Sequence, residues 1–302
     1  MDTELSLIAP AKLNLFLHIN GRRSDGYHEL QTYFQLLDWG DRMRFTHLDR
    51  PGIELGTPLP GVPEDDNLII RAARSLQGQG SSRQGVRIDI DKRIPMGGGL
   101  GGGSSNAATT LLALNQLWQC HLDVIELARI GRSLGADVPV FVHAHSAFAE
   151  GVGEKLTSMF FKQFWYLVLE PDCHVSTAEI FSDPRLTRNT QKITIAPASR
   201  GRPADSDHDW LSGRFRNDCE SLVRTRYPQI DEALIWLGRH SRHGQARLTG
   251  TGACCFTWTD TEQEAQQLLD LAGSRFRGFI AKGVHLSPAQ QRLNEALRFA
   301  RN

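Results

Sequence analysis

The sequence predicts an α+β chain of two domains, an N-terminal α/β domain followed by a ferredoxin-like C-terminal one. Three observations carry this. A chain of 302 residues can bury a large core and usually divides in two. Period-two apolar runs alternate with 3.6-period runs through the first half. Near residue 156 the pattern shifts, and the second half reads β-α-α-β-β-α-β, the order of a ferredoxin-like sandwich. The expected division is 1–155 and 156–302.

Lys plus Arg and Asp plus Glu are 34 each, so the formal charge is zero, which argues against nucleic acid or an anionic membrane as the main partner. The N-terminal residues carry no basic segment ahead of their apolar ones, and no apolar run approaches the length of a membrane span. The cysteines (Cys120, Cys173, Cys219, Cys254 and Cys255) are odd in number, lack a C-x-x-C spacing and include an adjacent pair. A reduced, cytoplasmic protein is expected.

Residues 6–20 alternate, with Ala11, Leu13, Leu15, Leu17 and Ile19 on one face and Lys12, Asn14, Phe16 and His18 on the other. This predicts a strand packed on its apolar face. Lys12 and Asn14 then point the same way, about 7 Å apart, and a solvated strand face is the common reading of such a pair. Ser24-Asp25-Gly26 marks a turn, with Tyr27 and His28 directly after it. Residues 50–63 read as a loop. Asp66 or Asn67 caps a helix running through Leu68, Ile69, Ala72, Ala73 and Leu76. Residues 78–85 form a turn or loop, and Val86, Ile88 and Ile90 alternate with charged residues in a half-buried strand.

That strand delivers the chain to PMGGGLGGGSSNAA (95–108), where six of the seven residues from Gly97 to Gly103 are glycine. A backbone so bare can take positive φ and approach a ligand closely. Ala108, Leu111, Leu112, Asn115 and Trp118 then fall at helical spacing on one buried face, with Ser104, Ser105 and Asn106 at the helix start. Unpaired N–H groups and the positive dipole end favour an anion there. The stretch reads as a phosphate loop leading into a helix. It lacks the lysine of a Walker A loop, and its G-x-G-x-x-G match comes nearly free among so many glycines.

A helix follows over 122–135, ended by Gly135. Asp137 lies between it and a proline-started apolar strand, a usual place for a turn-forming Asp. His143 and His145 on that strand read as a strand face, since no third metal ligand is apparent. Next come a strand at 164–169, a helix start at 175–181 and a surface excursion at 196–209. Helices at 215–226 and 229–240 precede two short strands, 246–249 and 253–257, around Gly250-Thr251-Gly252. A helix (261–272), a strand (276–284) and a short tail helix complete the chain.

The pattern P-x-x-x-G-L-G followed by a small residue and Ser-Ser resembles the small-molecule kinases grouped with galactokinase, homoserine kinase and mevalonate kinase. The form GGGLGGGSSNAA is narrower and resembles the 4-diphosphocytidyl-2-C-methyl-D-erythritol kinases. So do APAKLNLFLHINGRRSDGYHEL (9–30), GADVPVF (135–141) and LTGTGACCF (248–256). The resemblance spans nearly the whole chain and implies the two-domain small-molecule kinase fold with the site between the domains.

It further implies that Lys12 and Asp137 are catalytic, and that ATP lies on Pro95, Met96, Gly97, Gly98, Gly99, Leu100, Gly101, Gly102, Gly103, Ser104 and Ser105, with Mg²⁺ expected alongside. Asn14 touches substrate, Tyr27 stacks on the cytosine, and His28 hydrogen-bonds its polar edge. Phe181 matches the second aromatic of that sandwich, and Gly250 and Gly252 border the phosphate-transfer site. The implied partner is the small-molecule substrate, with no nucleic acid and no membrane. Two rivals are a homoserine or mevalonate type of kinase and a non-catalytic sensor on the same fold. The GYHEL stretch and the SSN ending argue against the first. Lys12, Asp137 and the glycine loop occurring together argue against the second. A dehydrogenase is a distant third.

Overall fold

The computed structural model describes residues 4–77, 85–194 and 215–299. The excursion expected at 196–209 and nearly all of the 78–85 turn lie outside them. Two long strands, β1 (Glu4–Arg22) and β2 (His28–Leu48), pair antiparallel along almost their whole length. The short β3 (Ile53–Leu55) interrupts the loop expected over 50–63 and runs parallel to β4 (Gly85–Asp91), which pairs with β2. Between β3 and β4 comes α1 (Leu68–Gln77), capped by Asn67, whose Oδ1 accepts from the Ile69 N–H at 2.9 Å. Asp66 instead ends a short 3₁₀ turn.

Helix α2 (Gly102–Leu117) comes after the glycine run, and α3 (Val124–Leu134) starts on a capping box of Asp123 and Glu126. Gly135 ends α3 with extended backbone (φ 178°) rather than a left-handed cap. The expectation of one buried face on α2 is too narrow. It is buried from Ser105 to Leu114, because Ala107, Ala108, Thr109 and Ala113 are small enough to admit neighbours on every side.

The strand expected after Asp137 is a helix, α4 (Val138–His143). Proline in a first helical turn loses no hydrogen bond, so the β-branched run winds rather than extends. His143 therefore ends a helix, and His145 Nδ1 is hydrogen-bonded to the His143 carbonyl at 2.7 Å. Strand β5 (Ala147–Gly151) pairs with β2 and with β6 (Lys155–Ser158).

The later elements are β7 (Trp165–Glu170), α5 (Thr177–Ser182), α6 (Glu220–Arg226) and α7 (Pro228–His240). They continue as β8 (Arg247–Leu248), β9 (Cys255–Thr259), α8 (Glu262–Ala272), β10 (Arg277–Val284) and α9 (Pro288–Phe299). Their strands lie in the order β10-β7-β9-β8, all antiparallel. That is the 4-1-3-2 arrangement of a split βαβ sandwich. β10 also meets β2 through Gly283 and Val284, joining the two sheets.

Three apolar clusters result. One lies between β1, β2 and β4 and the helices α1 to α4, and takes in Ala289 and Leu293 of α9. Another lies under α5 to α8. The third fills the space between the two sheets and contains Ala11, Leu13, Phe16, Leu100, Tyr166 and Trp258. The middle of β1 is thus covered on both faces, and its polar face is not solvated: Lys12 and Asn14 are 3 % and 4 % exposed. Among the described residues no helix is long and apolar enough to cross a membrane. All five cysteines are free.

Candidate active site

The pairing of β1 with β2 slips between Pro10 and Lys12, between Asn14 and Leu17, and between Ile19 and Gly21. Such irregularities release backbone groups from the ladder, and here they turn outward to loops. Lys12 N–H donates to the Leu100 carbonyl at 3.0 Å and Leu17 N–H to that of Arg216 at 3.1 Å. Asn14 N–H donates to Thr249 Oγ1 at 3.0 Å. One strand thereby fixes both glycine-rich segments.

In the first segment Gly97, Gly99 and Gly101 take φ of 72°, 74° and 73°, the left-handed conformation that favours glycine. Leu100, between the last two, is buried in the inter-sheet core and anchors the loop. Alternation of this kind turns successive N–H groups to one side, a concavity for an anion. Gly101 is the N-cap of α2 and supplies no side-chain cap, so the first-turn N–H groups are left for a ligand. The second segment is zipped onto the first. Ala253 N–H and Cys254 N–H donate to the carbonyls of Gly97 and Gly98 at 3.2 Å each, and Thr249 Oγ1 donates to that of Gly99 at 3.2 Å.

The entry to the glycine loop hangs on Asp41, which is fully buried. Its carboxylate accepts from Lys92 Nζ at 2.6 Å and from Arg93 N–H, Ile94 N–H and Asn106 Nδ2 at 2.7 Å each. Loop and helix are thus tied to one anion.

Lys12 Nζ donates to Asn14 Oδ1 at 2.5 Å and to the Gly99 carbonyl at 2.8 Å, and lies 3.6 Å from Asp137 Oδ2. Asn14 is oriented in turn, Nδ2 donating to Thr32 Oγ1 at 2.9 Å. Asp137 is the N-cap residue of α4, yet its carboxylate makes no cap. It turns to the lysine instead and stays one-third exposed. Burial lowers the Lys12 pKa, and the charge and hydrogen bond of Asp137 oppose that.

These groups open on a cleft of about 1020 Å³. Pro95 to Ser104, Lys12, Asn14, Asp137 and Gly250 all line it. Ser105 and Gly252 do not. Ser105 is buried behind the loop with its Oγ unpartnered, and Gly252 faces Leu248 and Ile230. One stretch of wall is apolar (Leu59, Val62, Leu68, Met96) and carries Asn67 and Lys92. Another carries Tyr27, His28 and Phe181.

Tyr27 stands 63 % exposed on a turn closed by its own N–H donating to Asp25 Oδ1 at 3.1 Å. The His28 and Phe181 rings lie 5.1 Å apart. Arg188 Nε donates to His28 Nε2 at 3.0 Å, and the same guanidinium holds the carbonyls of Phe181, Asp183 and Leu186. Burial first, then Arg188 and Arg22, lowers the His28 pKa.

Sequence reasoning misses Asp41, Thr249, Lys92 and Arg188. Each acts across a long sequence separation; only Lys92, just ahead of the glycine run, leaves a local signal.

Comparison with known proteins places the chain in a family. The family models for the GHMP kinases N terminal domain and GHMP kinases C terminal match residues 67–145 and 204–277. The 4-diphosphocytidyl-2-C-methyl-D-erythritol kinase of Marinobacter nauticus is 54 % identical over 98 % of this chain and 99 % of its own. That of Hahella chejuensis is 52 % identical over 96 % and 97 %. A crystal structure of 4-(cytidine 5'-diphospho)-2C-methyl-D-erythritol kinase superposes with a TM-score of 0.75 at 29 % identity, over 93 % of this chain and 100 % of that one. With a lysine–carboxylate pair set against a doubly braced glycine loop, and relatives this similar from end to end, the chain belongs to the GHMP kinases and, within them, to the 4-diphosphocytidyl-2-C-methyl-D-erythritol kinases.

Proposed function

We propose that this chain transfers the γ-phosphoryl group of ATP to the 2-hydroxyl of 4-diphosphocytidyl-2-C-methyl-D-erythritol. The observation that carries the reading is the Lys12–Asp137 pair, 3.6 Å apart, with the lysine also bonded to the glycine-loop carbonyl of Gly99. The carboxylate that would take a proton is thereby set beside the loop that would hold the phosphates.

ATP lies with its triphosphate along the glycine loop and the first turn of α2. Its adenine takes the apolar wall of Leu59, Val62, Leu68 and Met96, where Asn67 Nδ2 is buried without a hydrogen-bond partner. The cytosine sits between Tyr27 and Phe181, with His28 at its polar edge. The substrate oxygen forms a bond to γ-phosphorus as the bond to the β–γ bridging oxygen breaks, and ADP leaves. Asp137 accepts the hydroxyl proton late in that step. Lys12 faces the charge growing on the transferred group, held still by Asn14 and Gly99. Asn14 and Gly250 border the reacting region, with Gly252 bracing the turn behind.

Mg²⁺ bound with ATP would offset part of the charge on the phosphates. Of the two serines, Ser104 lines the cleft and would offer the ion a hydroxyl oxygen, whereas Ser105 Oγ is buried behind the loop. In this reading residues 1–155 hold the nucleotide, and 156–302 supply Phe181 and Gly250. Free cysteines and a soluble substrate fit a cytoplasmic enzyme.

A coupled ADP-release assay tests the proposal. Release should require 4-diphosphocytidyl-2-C-methyl-D-erythritol and fall about 10²–10⁴-fold in Asp137→Asn. No substrate-dependent release from folded, ATP-binding wild type would overturn the substrate. Near-normal turnover in the variant would overturn the role of Asp137.

A further inference from the structure

We infer that Arg188 is a positioning residue that fixes the tautomer of His28, so that the imidazole meets the base as a neutral Nδ1–H donor. The inference rests on the proposed reading of the Tyr27–His28–Phe181 wall as the base pocket. It adds a residue 160 positions away that is not among those lining the cleft.

A guanidinium has donors only and keeps its charge in proteins. Its Nε–H points at His28 Nε2 at 3.0 Å, so Nε2 must be the acceptor. In a neutral imidazole the proton then sits on Nδ1. A doubly protonated ring would set N–H against N–H, so this contact also opposes the cation. The charged groups that face the ring are both cationic: Arg188 from the segment after α5 and Arg22 from the end of β1. His28 is largely buried and lines the cleft, and among the described residues no hydrogen bond engages its Nδ1.

Arg188 is itself fixed. Its Nη2 donates to the carbonyls of Phe181 at 2.8 Å and Asp183 at 2.7 Å, and its Nη1 to that of Leu186 at 3.1 Å. One guanidinium therefore holds both the aromatic wall and the polar donor of the pocket. The base edge opposite must offer an acceptor, which cytosine does with its ring nitrogen and carbonyl oxygen.

The pH dependence separates this role from a merely structural one. In wild type His28 is a donor at Nδ1 whatever the pH, so from about pH 8 to about pH 5.5 the affinity for CDP should follow only the ligand's own terminal phosphate, whose second pKa is about 6, and each variant is read as a ratio to wild type at the same pH. In Arg188→Met the neutral ring is free to carry its proton on Nε2 and to present a lone pair to the acceptor. CDP binding near the upper end of that range should weaken about 3–10-fold, the worth of one ordinary hydrogen bond. It should recover at the acid end, below the ordinary histidine range because burial and Arg22 still oppose the cation, where the ring protonates and Nδ1 becomes a donor again. Loss of the wall alone would weaken binding equally at every pH. The same split should appear as a rise in KM for the cytidine substrate with kcat little changed.

The experiment combines titration of CDP by calorimetry with nitrogen NMR of the His28 ring, in wild type, Arg188→Lys and Arg188→Met. The expected wild-type spectrum has a protonated Nδ1 and an unprotonated Nε2, and needs no variant to fold. Arg188→Lys, which keeps a donor and a charge, should retain most of that tautomer. A wild-type ring protonated on Nε2, or a pH-independent loss in Arg188→Met, overturns the inference. If the tautomer is as stated and CDP binds but ATP is not consumed, the proposed reaction fails and the role of Arg188 stands.

Discussion

Replacing Gly103 by alanine should raise stability and lower activity at once. Gly103 is the second residue of α2, and a methyl group there would meet only Leu68 Cδ1, at 3.5 Å, an ordinary contact. Alanine in a helix is more stable than glycine by roughly 0.5–1 kcal/mol, which in a chain of this size shifts Tm upward by ~1–4 °C. The methyl also narrows the cleft over the first turn, since Gly103 lines it. If the triphosphate lies there, the crowding costs about 1–3 kcal/mol by comparison with an added methylene in a packed site, or ~5–150-fold in KM for ATP. Gly99→Ala is the contrasting control. Its methyl would fall 2.1 Å from the Thr249 carbonyl oxygen at φ 74°, so the two glycine segments would have to part and Tm should fall. Thermal denaturation with initial rates at varied ATP checks both. A Gly103→Ala protein with higher Tm and unchanged KM for ATP would show that the phosphates do not lie on the first turn of α2.

Asp137→Asn should also move the alkaline limb of kcat/KM. Burial already places the Lys12 pKa below its usual 10.5, and Asp137 is what raises it, so a pH–rate profile of the variant's residual activity should show the limb at lower pH than wild type. A lysine with a depressed folded pKa costs stability while it is charged, and that cost is relieved as pH rises from the folded pKa towards 10.5. Asp41→Asn sets an amide N–H among four donors in a fully buried place. It should cost about 3–5 kcal/mol, read by urea denaturation, with kcat/KM falling as the glycine loop loses its entry. Tyr27→Ala removes a ring that is 63 % exposed. Tm should hardly change, while KM for the cytidine substrate rises by the ~1–3 kcal/mol of base stacking; an unchanged KM removes Tyr27 from the pocket.

The legible part of the fold is the part that leaves a local signature. Period-two and 3.6-residue patterns locate β1, β4, α1, α3 and most of the C-terminal sandwich. The glycine run announces a loop because no other role asks for so many residues without a Cβ in one place. The errors have local causes too. Val138–His143 is a β-branched run that packs as a helix because its proline falls in the first turn, where the absent N–H has no partner to lose. β2 escapes detection because its Tyr33–Leu37 stretch is buried on both sides, which removes the alternation by which a half-buried strand is recognised.

The site's supports are illegible for a different reason. Asp41 and Asn106 are 65 residues apart, Asn14 and Thr249 235, and His28 and Arg188 160. No spacing rule reaches across such gaps. These residues also look unremarkable where they stand: an Asp in a strand, a Thr beside a turn, an Arg in a loop. Asp137 shows how structure separates a working residue from its commoner twin. At the head of a helix an aspartate ordinarily caps, and its carboxylate is then spent on backbone N–H groups. This one leaves that position unused and faces a buried ammonium across 3.6 Å. A residue that gives up the hydrogen bonds its own backbone offers must be held by something else, and the lysine brought there by the slipped register of β1 is what holds it.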